Sequence, residues 1–152
     1  MAMTDAELLA RMQRRQTKTI ELLGMELLEV RQAEGQVQYR MRAVAEFCNP
    51  AGNMQGGIIA TALDEAASTA AIVRSGRRVV APTIEFKVSF FGPARLDRDY
   101  LFAGRVLKMG RTVSFTEADM TDADGKVLAR LSSSCMIVDL EGAGLFTEKS
   151  VG

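Results

Sequence analysis

Histidine is missing from all 152 residues, and that absence excludes more chemistry than any feature present. No Ser-His-Asp triad, no Cys-His dyad and no His-ligated metal can be assembled from this chain. If it catalyses a reaction, acid–base work near neutral pH falls to a carboxylate or a bound water. Cysteine is scarce too. Cys48 and Cys135 lie far apart without partner spacing, so neither a disulfide framework nor a zinc site is suggested. Nineteen basic side chains balance nineteen acidic ones, and zero net charge lends no support to nucleic-acid binding. No apolar run reads as a membrane span and the amino terminus lacks a signal-peptide pattern; no membrane partner and a cytoplasmic location are expected. A length of 152 residues fits one domain, 1–152, with a real core.

What is present is organised around Asn49 to Ser68. Through Gln55 this stretch cannot be helical: Pro50 pushes Asn49 out of the α region, and Gly52, Asn53, Gly56 and Gly57 free the backbone. From Ile58 to Gly76 no breaker occurs, and apolar residues at 59, 62, 63, 66, 70 and 73 keep a helical period. The segment is apolar nearly all round, which predicts a buried helix. Asp64 lies within it among Ala and Leu, where an unpaired charge is costly, so it must be paired, shifted or working. Ser68, four residues on, shares its face and is within reach. The glycine pair at the start leaves backbone N–H groups and the positive dipole end free for a carbonyl or oxyanion. A plain loop-to-helix joint with a solvated Asp explains the same spacing.

Elsewhere the pattern alternates between strand and turn. Thr4-Asp5-Ala6-Glu7 reads as a capping box opening an N-terminal helix, about 4–23, with Leu8, Met12, Thr19, Ile20 and Leu23 on one stripe. Arg11, Arg14, Arg15 and Lys18 form its polar side, a solvated face. Strands are expected over Met25–Arg31, Gln36–Val44, Val79–Phe90, Tyr100–Leu107, Arg111–Met120 (with a bulge near Glu117) and Val127–Val138. Residues 139–152 read as a flexible tail. The outcome is an α+β chain: one antiparallel sheet of about six strands and a single buried helix, wrapped by the sheet or walled by a second copy.

Three passages together resemble the hotdog-fold thioesterase superfamily of the PaaI-like, 4-hydroxybenzoyl-CoA thioesterase type. The first is Asn49-Pro-Ala-Gly52-Asn-Met-Gln55-Gly56-Gly57 with Asp64, against the family pattern Asn-x-x-Gly-x-x-His-Gly-Gly and an acid nine residues after the His. The second is Pro82 to Phe90 with Gly92-Pro93-Ala94, which resembles the family's central strand. The third is Lys108-Met-Gly110-Arg111-Thr112 followed by Thr121 to Gly125. The resemblance spans about Gly24 to Val138. It implies a curved six-stranded antiparallel sheet around one central helix, sites at the interface of a homodimer or homotetramer, and hydrolysis of acyl-CoA to free acid and CoA. No cofactor is implied beyond the coenzyme A of the substrate.

By position, Asp64 becomes general base or nucleophile, and the Gly56 N–H the oxyanion donor. Asn49 would position water or carbonyl, and Ser68 or Thr83 would orient the water or Asp64. Gly57 would contact substrate beside Gly56. Lys108, Arg111 and Thr112 would meet the coenzyme A phosphates, with Arg95 a weaker candidate. Glu65 is a competing carboxylate, but it points about 100° away from Asp64 on a helix. The departure is Gln55 in place of the usual His. Gln keeps donors and an acceptor but not the imidazolium charge, so the alternative is a catalytically silent protein of this fold that binds an acyl-CoA or related ligand.

Overall fold

The computed structural model describes residues 2–140. The chain begins with two helices, α1 (Asp5–Gln13) and α2 (Lys18–Leu23), and a hairpin of β1 (Glu26–Arg31) and β2 (Gln36–Arg42). Both halves of the capping box form: Thr4 Oγ1 accepts from the Glu7 N–H at 3.2 Å, and the Glu7 carboxylate accepts from the Thr4 N–H at 2.8 Å. The single helix expected over 4–23 is instead broken between Gln13 and Lys18. Thr17 acts as a second N-cap, accepting from the Ile20 N–H at 3.3 Å, and side-chain capping of this kind restarts a helix. α2 ends at Gly24 in the left-handed region, φ 66°. Ile20 and Leu23 are buried as expected; Thr19 is exposed.

A 3₁₀ turn (Ala45–Phe47) and the glycine-rich loop lead into α3, Gly56–Ser75. The helix thus starts two residues before the expected Ile58. Then come β3 (Val79–Val80), β4 (Thr83–Phe90), β5 (Asp99–Met109), β6 (Val113–Thr121), β7 (Val127–Met136) and β8 (Val138–Asp139). The main sheet is antiparallel in the order β1-β2-β5-β6-β7-β4. Its concave face holds α3, whose Ile59, Ala62, Leu63, Ala66, Ala70 and Val73 are all buried.

Gly104 on β5 sets how close helix and sheet come. A Cβ there would lie 2.1 Å from the Ala66 carbonyl oxygen, so only glycine permits this backbone-to-backbone approach. α3 is 20 residues long with an 18-residue window of mean hydropathy 1.2, which is the length and composition of a membrane span. Its position inside the sheet accounts for that composition without a bilayer.

Several expected boundaries shift. The strand expected over Val79–Phe90 is divided at Ala81-Pro82, because proline cannot donate to a ladder. β3 pairs instead with β8, Val80 opposite Val138 and Val79 opposite Asp139. The strand expected over Val127–Val138 is likewise divided at Ile137. Asp139 is therefore in a strand and ion-paired to Arg77 at 2.8 Å, and the rest of the expected tail, 141–152, lies outside the described residues. Glu117 pairs regularly; the irregularities fall at Val106/Lys108, Met120/Thr121, Leu27/Glu29 and Thr83/Glu85. Val113 and Phe115 do share a face, but it is the outer one, with Ser114, Thr116, Ala118 and Met120 turned inward.

The segment compared with the family's central strand, β4, is here an edge. It leaves Ile84, Phe86 and Phe90 46–54% exposed in the single chain. An unpaired, apolar edge strand invites another strand.

Candidate active site

The loop before α3 is held by its own backbone and by Asn49. The Asn49 Oδ1 accepts from the Ala51 and Asn53 N–H groups at 3.0 and 3.2 Å. That is an Asx-type turn; it commits the Asn49 oxygen to holding the loop, while the side-chain N–H₂ has no acceptor among the described residues. Met54 N–H donates to Ala94 O at 2.7 Å and Gln55 N–H to Phe47 O at 2.8 Å, fixing the approach to the helix. Gln55 is the N-cap with φ −64° and ψ 141°, and its side chain makes no capping bond. Ile58 and Ile59 both donate to Gln55 O, at 3.1 Å each. Among the described residues the N–H groups of Gly56 and Gly57 find no acceptor, and both glycines are exposed. Two free donors at the start of a 20-residue helix form a site of positive potential.

Asp64 lies two turns in, half-buried between α3 and β4. The Thr83 hydroxyl donates to its carboxylate at 2.7 Å. This unites two residues proposed from sequence but separates them from the third: no hydrogen bond joins Ser68 to Asp64, so the i, i+4 pairing is replaced by one across the sheet edge. Burial pushes the Asp64 carboxyl above its usual range, and the Thr83 bond pulls partly back. Glu65 is also raised, by burial first and the Asp64 charge second. Burial likewise raises the Cys135 thiol, with the Asp64 charge adding to it.

Cys135 belongs to a feature the sequence reading missed. Thr83 is opposite Cys135, which is opposite Ser114. In the next row Ser133 is opposite Thr116. The inner face of the sheet beside Asp64 is thus polar, and the Thr116 hydroxyl is buried without a partner among the described residues. The only signal in the sequence was the inverted alternation of Ser114 and Thr116 against Val113 and Phe115.

Lys108, Arg111 and Thr112 lie exposed at the β5–β6 turn. Ser114 reaches this turn through its hydroxyl on Lys108 O at 3.3 Å. Counting strands from β4 to β5 places the turn about three spacings, roughly 14 Å, from Thr83. Two surface cavities of about 240 and 250 Å³ are lined by other residues, and neither includes Asp64. Asp64 lies against Thr83 of the β4 edge strand, and the Phe90 ring at the other end of β4 lies 3.1 Å from where a Gly56 Cβ would be.

A family profile described as the thioesterase superfamily matches residues 51–129, from the glycine loop to β7. The chain is 33% identical over 99 residues to human acyl-coenzyme A thioesterase 13, covering 64% of this chain and 70% of that protein. Among solved structures it resembles zebrafish thioesterase superfamily member 2, with a TM-score of 0.67 and 26% identity, over 74% of this chain and 80% of the other. The PaaI protein of the E. coli phenylacetic acid degradation operon superposes with a TM-score of 0.77 over 86% of this chain and 91% of that one. At 15% identity that likeness establishes the fold alone.

Proposed function

The chain belongs to the thioesterase superfamily, and from that premise we propose that it hydrolyses acyl-CoA thioesters, with Asp64 as the working carboxylate. The observation that carries this reading is the half-buried Asp64, hydrogen-bonded on one side by Thr83 and open on the other. One carboxylate oxygen is held in place; the other is free to take a proton from water as that water attacks the thioester carbonyl. The raised Asp64 carboxyl is the stronger base for it. The developing oxyanion would sit at the Gly56 N–H, where one donor typically contributes about 10²–10³ in rate. Collapse of the tetrahedral species expels the thiolate of coenzyme A and leaves the free acid. Coenzyme A enters as substrate, and no further cofactor takes part in this scheme.

Geometry within one copy argues for a site shared between two. Gly56 and Asp64 are eight residues apart on one helix, about 12 Å along its axis at 1.5 Å per residue. Reacting groups must approach to about 3–3.5 Å, so a carbonyl held by one chain's Gly56 is poorly placed for that chain's own Asp64. Pairing of two β4 edges would cover Phe86 and Phe90 and bring the Gly56 of one copy toward the Asp64 of the other. The proposed enzyme is therefore a homodimer, or a tetramer built from such dimers.

The test is thiol release from a panel of acyl-CoAs, comparing wild type with Asp64→Asn. A loss of about 10²–10⁴ in kcat is expected, and equal turnover would refute the assignment of Asp64. One observation favours a second reading, ligand binding without hydrolysis: Gln55 is neutral and its side chain makes no bond to the helix start. Binding of acyl-CoA without release at high protein concentration would select it.

A further inference from the structure

Thr83, which holds Asp64, is turned toward it by a break in its own strand. Along β4, Ile84, Phe86, Val88 and Phe90 alternate with Thr83, Glu85, Lys87 and Ser89, and a regular strand keeps every second residue on one face. On that period Thr83 belongs on the outer face with Glu85 and Lys87, and Ile84 belongs inside. The pairing with β7 is different. Thr83 is opposite Cys135, Glu85 opposite Ser134 and Phe86 opposite Ser133. Two steps along β4 therefore meet one along β7, and Ile84 is the extra residue of a bulge. Cys135 and Ser133 are buried on the inner face, so Thr83 points inward, where its hydroxyl reaches Asp64 at 2.7 Å. Ile84, displaced from the ladder, is 54% exposed in the single chain.

An apolar residue moved outward and a polar one drawn inward run against burial, so the bulge needs bonds to hold it. Two bonds bracket it. On one side Pro82 O accepts from the Met136 N–H at 2.9 Å. On the other the Ser133 hydroxyl donates to Glu85 O at 3.2 Å, nearer than Ser134 O at 3.5 Å. A bulge disturbs the ladder locally, and a side-chain donor can satisfy a backbone group there. The neighbouring buried hydroxyls do not reach β4: Ser114 bonds Lys108 O, and Thr116 has no partner among the described residues.

We propose that Ser133 is a positioning residue for the hydrolysis, tying down the bulge at Ile84 so that the Thr83 hydroxyl stays on Asp64. The catalytic consequence rests on the thioesterase reading; the structural one rests on the strand register. Ser133 makes no bond to Asp64 and acts through β4. Without its hydroxyl the strand is free to slip by one residue into regular pairing, which brings Ile84 opposite Cys135 and turns Thr83 to the outer face.

The test uses the full chain as wild type, Ser133→Ala, Thr83→Val and the double variant, with two readouts that need no turnover. A carboxyl ¹³C NMR titration follows Asp64; the titratable groups facing it, Glu65 on the same helix and Cys135 on β7, are the same in every variant. Losing a bond to the charged carboxylate raises its midpoint. Ser133→Ala should raise it by about half a unit or more, toward the roughly one unit expected of Thr83→Val. The double variant should titrate like Thr83→Val alone, because Ser133 has no route to Asp64 except Thr83. Cross-strand NOEs in Ser133→Ala should place Ile84, in place of Thr83, beside Cys135. In acyl-CoA turnover the acid limb of kcat/KM should move with the carboxyl midpoint, and Ser133→Thr, which keeps a hydroxyl, should bring both back. Thr116→Val, which removes a hydroxyl from the same face but no bond to β4, should leave both in place. A wild-type midpoint in Ser133→Ala, or a shift that adds in full to that of Thr83→Val, overturns the proposal. If wild type hydrolyses no acyl-CoA while the midpoint still shifts in Ser133→Ala, the thioesterase reading fails and the role of Ser133 in the bulge stands.

Discussion

If each site draws Gly56 from one copy and Asp64 from another, two inactive variants should restore each other. The first variant is Gly56→Pro. Gly56 is the first residue of α3 and its N–H has no acceptor among the described residues. Proline is favoured at that position and removes the donor; its Cβ would meet the half-exposed Phe90 ring at 3.1 Å, which must turn slightly to admit it. Gln55, at φ −64° and ψ 141°, already has the conformation that a following proline demands. The loss should be about 10²–10³ in kcat, the usual value of one oxyanion donor. The second variant is Asp64→Asn.

After unfolding and refolding the two as an equal mixture, random pairing makes about half the dimers mixed, and each mixed dimer has one intact site of two. Thiol release should therefore recover to about a quarter of the wild-type rate at equal total protein. Each variant refolded alone should stay inactive. If the mixture shows no more activity than the variants separately, although mixed dimers are demonstrated by differential tagging, the helix serves a site within one copy and the 12 Å argument is wrong.

Thr83→Val removes the 2.7 Å bond to Asp64; at about 1.5 kcal/mol, the low end for a bond to a charged group, the acid limb of the kcat/KM profile should move up by roughly one pH unit. Ser68→Ala should leave that limb in place, since Ser68 does not bond Asp64. Asp64→Asn should also stabilise the fold. The folded carboxyl is raised by burial, so its favourable contribution is present below the unfolded pKa and lost as pH rises through the folded value. Thermal melts of variant and wild type should accordingly diverge in the variant's favour between acid and neutral pH. Gly104→Ala drives a Cβ to 2.1 Å from Ala66 O and should cost about 3 kcal/mol or more, read as a fall in denaturant midpoint. Gly24→Ala meets no atom within 4 Å but keeps φ 66°, so a cost of about 1–2 kcal/mol is expected from backbone strain alone.

Periodic signals in the sequence were reliable where burial on one face governed the choice. The α3 stripe and the Val37-Tyr39-Met41 alternation both appear in the structure as buried faces. What escaped were features set by single residues against the trend. Thr17 restarts a helix inside a basic run, and Pro82 divides an apolar run into two strands with different partners. For Asp64 the helical spacing offered Ser68 at i+4, while Thr83, named only through the family resemblance, is the residue that bonds it, from 19 residues away. The inward Ser114 and Thr116 ran against the rule that apolar residues mark the core face.

The approach at Gly104 also governs how the molecule can breathe. With the backbones of α3 and β5 in contact at Ala66, helix and central strands must fluctuate as one body. Within one copy, local opening is left to the two edge strands, β1 on β2 and β4 on β7. Amide hydrogen exchange should then be slowest around Ala66, Ala67 and Phe102, and exchange along Glu85 to Phe90 should slow as two copies pair along β4. Access to Asp64 would be timed by loosening of that seam while the helix stays fixed.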